Sequence, residues 1–237
     1  MKIALASART ADRDIERNYA EMERYTAEAA AKGAQLVCFA EAFLQGFNAL
    51  DWEFETDSKM AVAADSEIFK RICGLTEKYG TDVLFGYNEL DGDKIYSSCA
   101  LISKGAVYHN YRRISRGWKE YWKTDDHYCE GGMVEPFEYR GKKCVIGLCG
   151  DLWEYPERFA LGEDVLIWPV YVDFTEAEWN NGDRLEYAEQ ANMCCGNVLY
   201  VNSHGVDGAL GGAMHFADGN VCEELPIGNE GLLIVEI

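Results

Sequence analysis

Val145-Ile146-Gly147-Leu148-Cys149-Gly150-Asp151-Leu152-Trp153-Glu154-Tyr155-Pro156-Glu157 is the stretch on which the reading of this chain turns. An apolar run delivers a thiol straight into a turn and the start of a short helix. In α/β folds the carboxyl ends of strands open into the ligand crevice. Backbone N–H groups at the following helix start can lower a thiol pKa or hold an oxyanion. A strand-end cysteine taken alone is more often a small core residue than a nucleophile. A second stretch changes that balance. Gln35-Leu36-Val37-Cys38-Phe39-Ala40 is another strand-like run, and it ends in Glu41, followed by Ala42-Phe43-Leu44-Gln45-Gly46-Phe47. A shielded carboxylate at one strand end and a thiol at another form a base–nucleophile pair.

Around these two stretches, strands and helices alternate. Lys2–Ser7 reads as a strand. Asp14–Lys32 reads as a helix, with Ile15, Met22, Tyr25, Ala29 and Ala30 at helical spacing and Gly33 at its end. Ser66–Tyr79 is a second helix stopped at Gly80. Asp82–Asn88, Ile95–Ser103 and Ala106–Tyr111 are strands joined at Asp91-Gly92-Asp93 and Lys104-Gly105. Val134–Tyr139 and Lys143–Leu148 form a hairpin over Arg140-Gly141. Val165–Tyr171 is a strand, Glu176–Cys195 one long helix and Val198–Ser203 a strand, with Leu232–Ile237 the last. Alternation with interspersed hairpins predicts an α/β fold with a mixed sheet, and periodicity leaves open whether there is one sheet or two. Gly117–Gly132 reads as a weakly ordered loop, long and rich in aromatics (Trp118, Tyr121, Trp122, Tyr128), suited to a pocket lid or a partner surface.

With 237 residues, of which 48% are hydrophobic and 13% aromatic, the chain reads as one domain with a full core. A formal charge of −19 argues against nucleic acid as a partner. The nine cysteines include no Cys-x-x-Cys pair, so neither a zinc site nor a disulfide framework is supported, and reduced thiols in a cytoplasmic protein fit best. No signal peptide and no apolar run near 20 residues is present, so no membrane association is expected.

Leu36–Glu41 with the trailing Gly46-Phe47, and Ile146–Glu157 with its Cys-x-Asp and Pro-Glu, together resemble the nitrilase, or carbon–nitrogen hydrolase, superfamily. The resemblance runs from the first strand to the last. It implies a four-layer α-β-β-α sandwich of two mixed sheets with outer helices, forming a single domain over residues 1–237. It implies a hydrolase cleaving the C–N bond of a small amide-type substrate (amidase or carbamoylase type) through a cysteine thioester. No cofactor or metal is implied, and assembly is implied to be a homodimer or larger. Cys149 is then the nucleophile, Glu41 the general base, and Gly150 the donor of an oxyanion N–H.

The chain departs from the family pattern in one place. In Tyr108-His109-Asn110-Tyr111-Arg112-Arg113-Ile114, Arg113 stands where the family has its oxyanion lysine. The guanidinium is larger and never loses its proton. It could hold a carbonyl oxygen, clamp a substrate carboxylate, or fill the pocket and tie up Glu41. The last case would give a catalytically silent relative that serves as a ligand-binding or protein-interaction module. Lys119 and Lys123 are substitutes for the missing ammonium. Glu120 is the candidate for the second glutamate of many members, and Trp153 and Tyr171 are candidates for the pocket lining. Asp151 reads as a helix-start cap, and His204 and His215 as weaker partners for the thiol.

Overall fold

The computed structural model describes residues 1–237 and contains two six-stranded mixed sheets packed face to face. The first sheet holds β1 (Lys2–Ser7), β2 (Leu36–Cys38), β3 (Asp82–Asp91), β4 (Lys94–Ser103) and β5 (Ala106–Arg112). The second holds β6 (Phe137–Tyr139), β7 (Lys142–Ile146), β8 (Val165–Pro169), β9 (Asn197–Val201), β10 (Ala213–Ala217) and β11 (Asn220–Leu225). The last strand, β12 (Gly231–Glu236), returns to pair antiparallel with β1. The spatial orders are β12-β1-β2-β3-β4-β5 and β11-β10-β9-β8-β7-β6. Parallel pairs sit at the centre of each sheet, β1-β2-β3 in one and β7-β8-β9 in the other.

The period of two explains why both faces of the first sheet are covered. Ile3, Leu5, Leu36, Cys38, Leu84, Cys99 and Leu101 join the core that also holds the apolar residues of the second sheet. Their neighbours Ala4, Ala6, Val37, Phe39, Val83, Phe85, Ala100 and Ile102 point the other way. There they meet Met22, Tyr25 and Ala29 of helix α1 (Ile15–Ala31), and Phe69, Ile72 and Leu75 of a later helix (Glu67–Tyr79). Asp14 and Ser66 cap these two helices through their side chains. On the second sheet, Tyr187, Ala188 and Ala191 of the helix Arg184–Cys194 pack into the same core as Trp168, Val198 and Tyr200. No helix is long and apolar enough to cross a membrane.

Three expectations need correction. The single helix over Glu176–Cys195 is broken into a capped turn (Glu176–Glu178), a π-helical turn (Trp179–Asp183) and the helix Arg184–Cys194. Asn180-Asn181-Gly182 propagates a helix poorly, and the wider turn carries Trp179 inward, where it is buried. The strand expected from Val134 starts only at Phe137, because Pro136 brings no N–H to a ladder. Gly117–Gly132 is anchored by two of its four aromatics: Trp118 and Tyr128 are buried with Leu50, Ala61 and Ile95 in a small separate core, whereas Tyr121 and Trp122 are exposed. Ile95 donates to His127 O (2.7 Å) and accepts from Cys129 N (2.9 Å), so the loop runs beside β4.

Candidate active site

The site lies where β2, β5 and β7 run out. Glu41 follows β2 by three residues and is 1% exposed. Its backbone crosses β3 at Gly86, where a β-carbon would lie 2.6 Å from Glu41 Cα, so only glycine admits this approach. One carboxylate oxygen, Oε1, accepts from Ser97 Oγ (3.0 Å) and from Arg113 Nη1 (2.8 Å). The other, Oε2, is buried and has no partner.

Cys149 follows β7 and takes φ = 42°, a left-handed conformation that a non-glycine residue adopts only when its surroundings hold it. Those surroundings are visible. Its N–H donates to Pro169 O (3.0 Å), and its carbonyl accepts from Trp168 Nε1 (2.9 Å). Its thiol reaches toward Tyr171 O at 3.8 Å. Burial pushes the thiol pKa up to about 12; the Glu41 charge adds to the rise and the Arg113 guanidinium opposes it. The resting group at Cys149 is therefore a thiol.

Arg113, 3% exposed, points into the site. Its Nη1 is on Glu41 and its Nε donates to Ser115 Oγ (2.7 Å), while Nη2 makes no hydrogen bond. Nη2 lies over Gly150: a β-carbon there would be 2.6 Å from it. The Gly150 N–H likewise has no acceptor within the protein. Burial disfavours the guanidinium charge, but Glu41, Cys149 and Asp151 outweigh that effect, and its pKa stays above the usual arginine value. Both forked edges of the guanidinium are half occupied, so a bidentate clamp on a substrate carboxylate is not available.

Asp151 is no helix cap. It is fully buried and binds four donors: Tyr111 Oη (2.6 Å), Ile114 N (3.1 Å), Ser115 N (2.7 Å) and Leu148 N (2.9 Å). It therefore ties the arginine segment to the turn that carries the thiol. Ser97 and Ser115, which orient Glu41 and Arg113, were not singled out by sequence. A hydroxyl two positions beyond Arg113 was the only trace of the second.

Other candidates fall elsewhere. Lys119 Nζ is engaged by Glu130 (2.8 Å) and Tyr128 O (2.5 Å), and Lys123 is exposed. Glu120 lines a cavity of about 210 Å³ with Phe47, Leu50, Trp52 and Trp118, and its side chain makes no hydrogen bond or ion pair with Arg113, which pairs with Glu41 instead. Tyr171 is buried, stacks on Phe47 with ring centroids 4.4 Å apart, and donates its hydroxyl to Asp207. Trp153 is 41% exposed and packs on Tyr187, outside the cavities beside Glu41. His204 pairs with Ser7 Oγ (3.1 Å) and His215 with Asn197 (3.3 Å), and neither meets the thiol.

Cys149, Glu41, Arg113 and Gly150 are thus neighbours at the strand ends of the two sheets. The chain belongs to the carbon–nitrogen hydrolase family, whose model matches residues 2–237. It is 34% identical over 99 residues to an arylacetonitrilase of Aspergillus niger, a match covering 38% of this chain and 29% of that protein. It is 27% identical over 180 residues to a nitrilase of Pyrococcus abyssi, covering 72% of this chain and 64% of that protein. These matches thus span under two thirds of the curated relatives' lengths. An amidase from Nesterenkonia sp. AN1, solved with acrylamide added to its active-site cysteine, superposes with a TM-score of 0.80 at 18% identity, over 100% of this chain and 93% of that one. That likeness concerns the fold.

Proposed function

We propose that this protein hydrolyses a small amide-type C–N bond through a thioester on Cys149. Glu41 Oε2 takes the thiol proton as Sγ bonds to the carbonyl carbon. The oxygen that becomes negative is held by the Gly150 N–H and by Arg113 Nη2. Collapse of the tetrahedral species breaks the C–N bond, and Glu41 returns the proton to the leaving amine. Water then adds to the thioester, giving its proton to Glu41, and the carboxylic acid leaves as the thiol is restored. Amide and water become acid and amine.

The observation that carries this reading is the division of labour on Glu41. Oε1 absorbs Arg113 and Ser97, and Oε2 is left without a partner. A silent relative is favoured by a different reading of the same contact: a buried 2.8 Å ion pair fastens the carboxylate to Arg113 rather than to the thiol. Ammonia release from a panel of simple amides by wild type and Cys149→Ala separates them. Hydrolysis by wild type alone, with an acyl adduct on Cys149 in mass spectrometry, supports the thioester route. Equal release by both proteins would remove it. Self-association is part of the proposal, supported by exposed Val107 and Tyr108 on the edge strand β5.

A further inference from the structure

Beside Glu41 lies a recess of about 10 Å³ lined by Ala42, Phe47, Leu50, Trp52, Asn88, Ser97 and Trp118. It shares Phe47, Leu50, Trp52 and Trp118 with the 210 Å³ cavity that reaches the rim at Glu120. Three of its lining residues, Glu41, Asn88 and Trp118, each carry a buried polar atom with no partner: Oε2, Nδ2 and the indole Nε1. Asn88 is 4% exposed and Trp118 6%. Buried donors left unsatisfied are uncommon and costly, and two of them in one recess mark a place where an acceptor arrives from outside.

We propose that this recess is a subsite for a neutral acceptor oxygen on the substrate, an ether or carbonyl oxygen read by Trp118 Nε1–H and Asn88 Nδ2–H. The inference rests on the reading of Glu41 and Cys149 as the reacting centre, since Glu41 is common to both places. The volume admits about one oxygen-sized atom. A carboxylate is excluded by charge. Arg113 does not line the recess and turns its one free nitrogen, Nη2, toward Gly150, Lys119 is paired with Glu130, and Glu41 and Glu120 stand on the walls. A donating group would compete for Oε2, the atom needed for proton transfer. Phe47, Leu50 and Trp52 suit the hydrocarbon around such an oxygen.

Two pairs of near-isosteric amides isolate the acceptor: methoxyacetamide with butyramide, and 3-methoxypropionamide with pentanamide. In each, one CH2 becomes an ether oxygen that accepts and cannot donate. The expected result is a kcat/KM for the ether roughly 10-fold above its hydrocarbon partner in at least one pair. Trp118→Phe and Asn88→Leu should each draw that ratio toward one. A wild-type ratio at or below one in both pairs overturns the proposal. So does a ratio that survives both replacements while the rates on ether and hydrocarbon fall together, since the donors would then be holding water. Should no amide be turned over, the hydrolase reading fails separately, and binding to Cys149→Ala by ligand-observed NMR decides the subsite. Tighter binding of the ether sustains it, and equal or weaker binding sinks it. If a replacement fails to fold, the wild-type ratio and the Cys149→Ala binding decide alone.

Discussion

Gly150→Ala tests whether Arg113 stands over the reacting carbon. The backbone at Gly150 is in the right-handed helical region (φ −63°, ψ −10°), so alanine is conformationally acceptable there. The cost is a clash: the new β-carbon would lie 2.6 Å from Arg113 Nη2, against a comfortable separation of roughly 3.5 Å. The guanidinium must retreat by close to an ångström. It is held at 2.8 Å by Glu41 and at 2.7 Å by Ser115, so a retreat of that size breaks one of the two bonds. Losing a buried hydrogen bond to a charged group costs about 1.5–3 kcal/mol, which for a chain of this size is a melting-point drop of roughly 3–12 °C. Withdrawing one oxyanion donor lowers kcat by about 10²–10³. Ammonia release and a thermal melt on the same preparation read both quantities. In Gly150→Ala/Arg113→Lys the shorter ammonium clears the methyl group, so the double variant should exceed Gly150→Ala in kcat. Turnover by Gly150→Ala within threefold of wild type would refute the placement of Nη2 at the oxyanion.

Two further outcomes follow from the same structure. Asp151→Ala leaves the donors of Tyr111, Ile114, Ser115 and Leu148 without their acceptor; at about 1–3 kcal/mol for each buried group the loss should exceed about 4 kcal/mol, and a urea midpoint close to wild type would contradict the clamp. Burial raises the thiols of Cys144, Cys149 and Cys194 to about 12 and that of Cys195 to about 11. A group whose folded pKa is raised gives full stability below the unfolded value and loses it as pH climbs to the folded one. The melting temperature should therefore fall between about pH 9 and pH 12, and a flat profile over that range would contradict the burial of these thiols.

Much of the frame was legible because it rests on local signals. The alternation Ile3/Leu5 against Ala4/Ala6, repeated in Leu36/Cys38 against Val37/Phe39, declares a strand covered on both faces. The helices beginning near Asp14 and Ser66 show in the spacing of their apolar residues and in Gly33 and Gly80 at their ends. Glu41 and Cys149 were visible as polar residues ending apolar runs. What stayed hidden depends on partners distant in the chain. Arg113 meets Glu41 across 72 positions, and nothing near Arg113 says whether its guanidinium turns inward. Asp151 looks like any acidic residue at a helix start until Ile114 and Ser115 are brought beside it. The break at Asn180-Asn181-Gly182 was masked by strong helix formers on both sides, Glu176-Ala177-Glu178 and Arg184-Leu185-Glu186.

Arginine at position 113 reshapes the site around its own geometry. A lysine offers one compact ammonium whose protons rotate to whatever acceptor is near. A guanidinium fixes its N–H directions in a plane, so each must be given a partner or a purpose. Here Nε has Ser115, Nη1 has Glu41 and Nη2 faces the space above Gly150. Glycine at 150 is thus a condition for the arginine, and Ser115 is its anchor. The anchoring has an electrostatic consequence. An ion pair this deeply buried is costly to break from one side, on the order of 3–5 kcal/mol, so Arg113 and Glu41 hold each other in place. The Glu41 charge in turn helps keep Cys149 protonated. In the proposed reaction the thiolate forms only when a carbonyl oxygen at Nη2 and Gly150 N–H begins to take up negative charge. Activation is then coupled to substrate arrival, and a site with an unusual cation retains a route to chemistry.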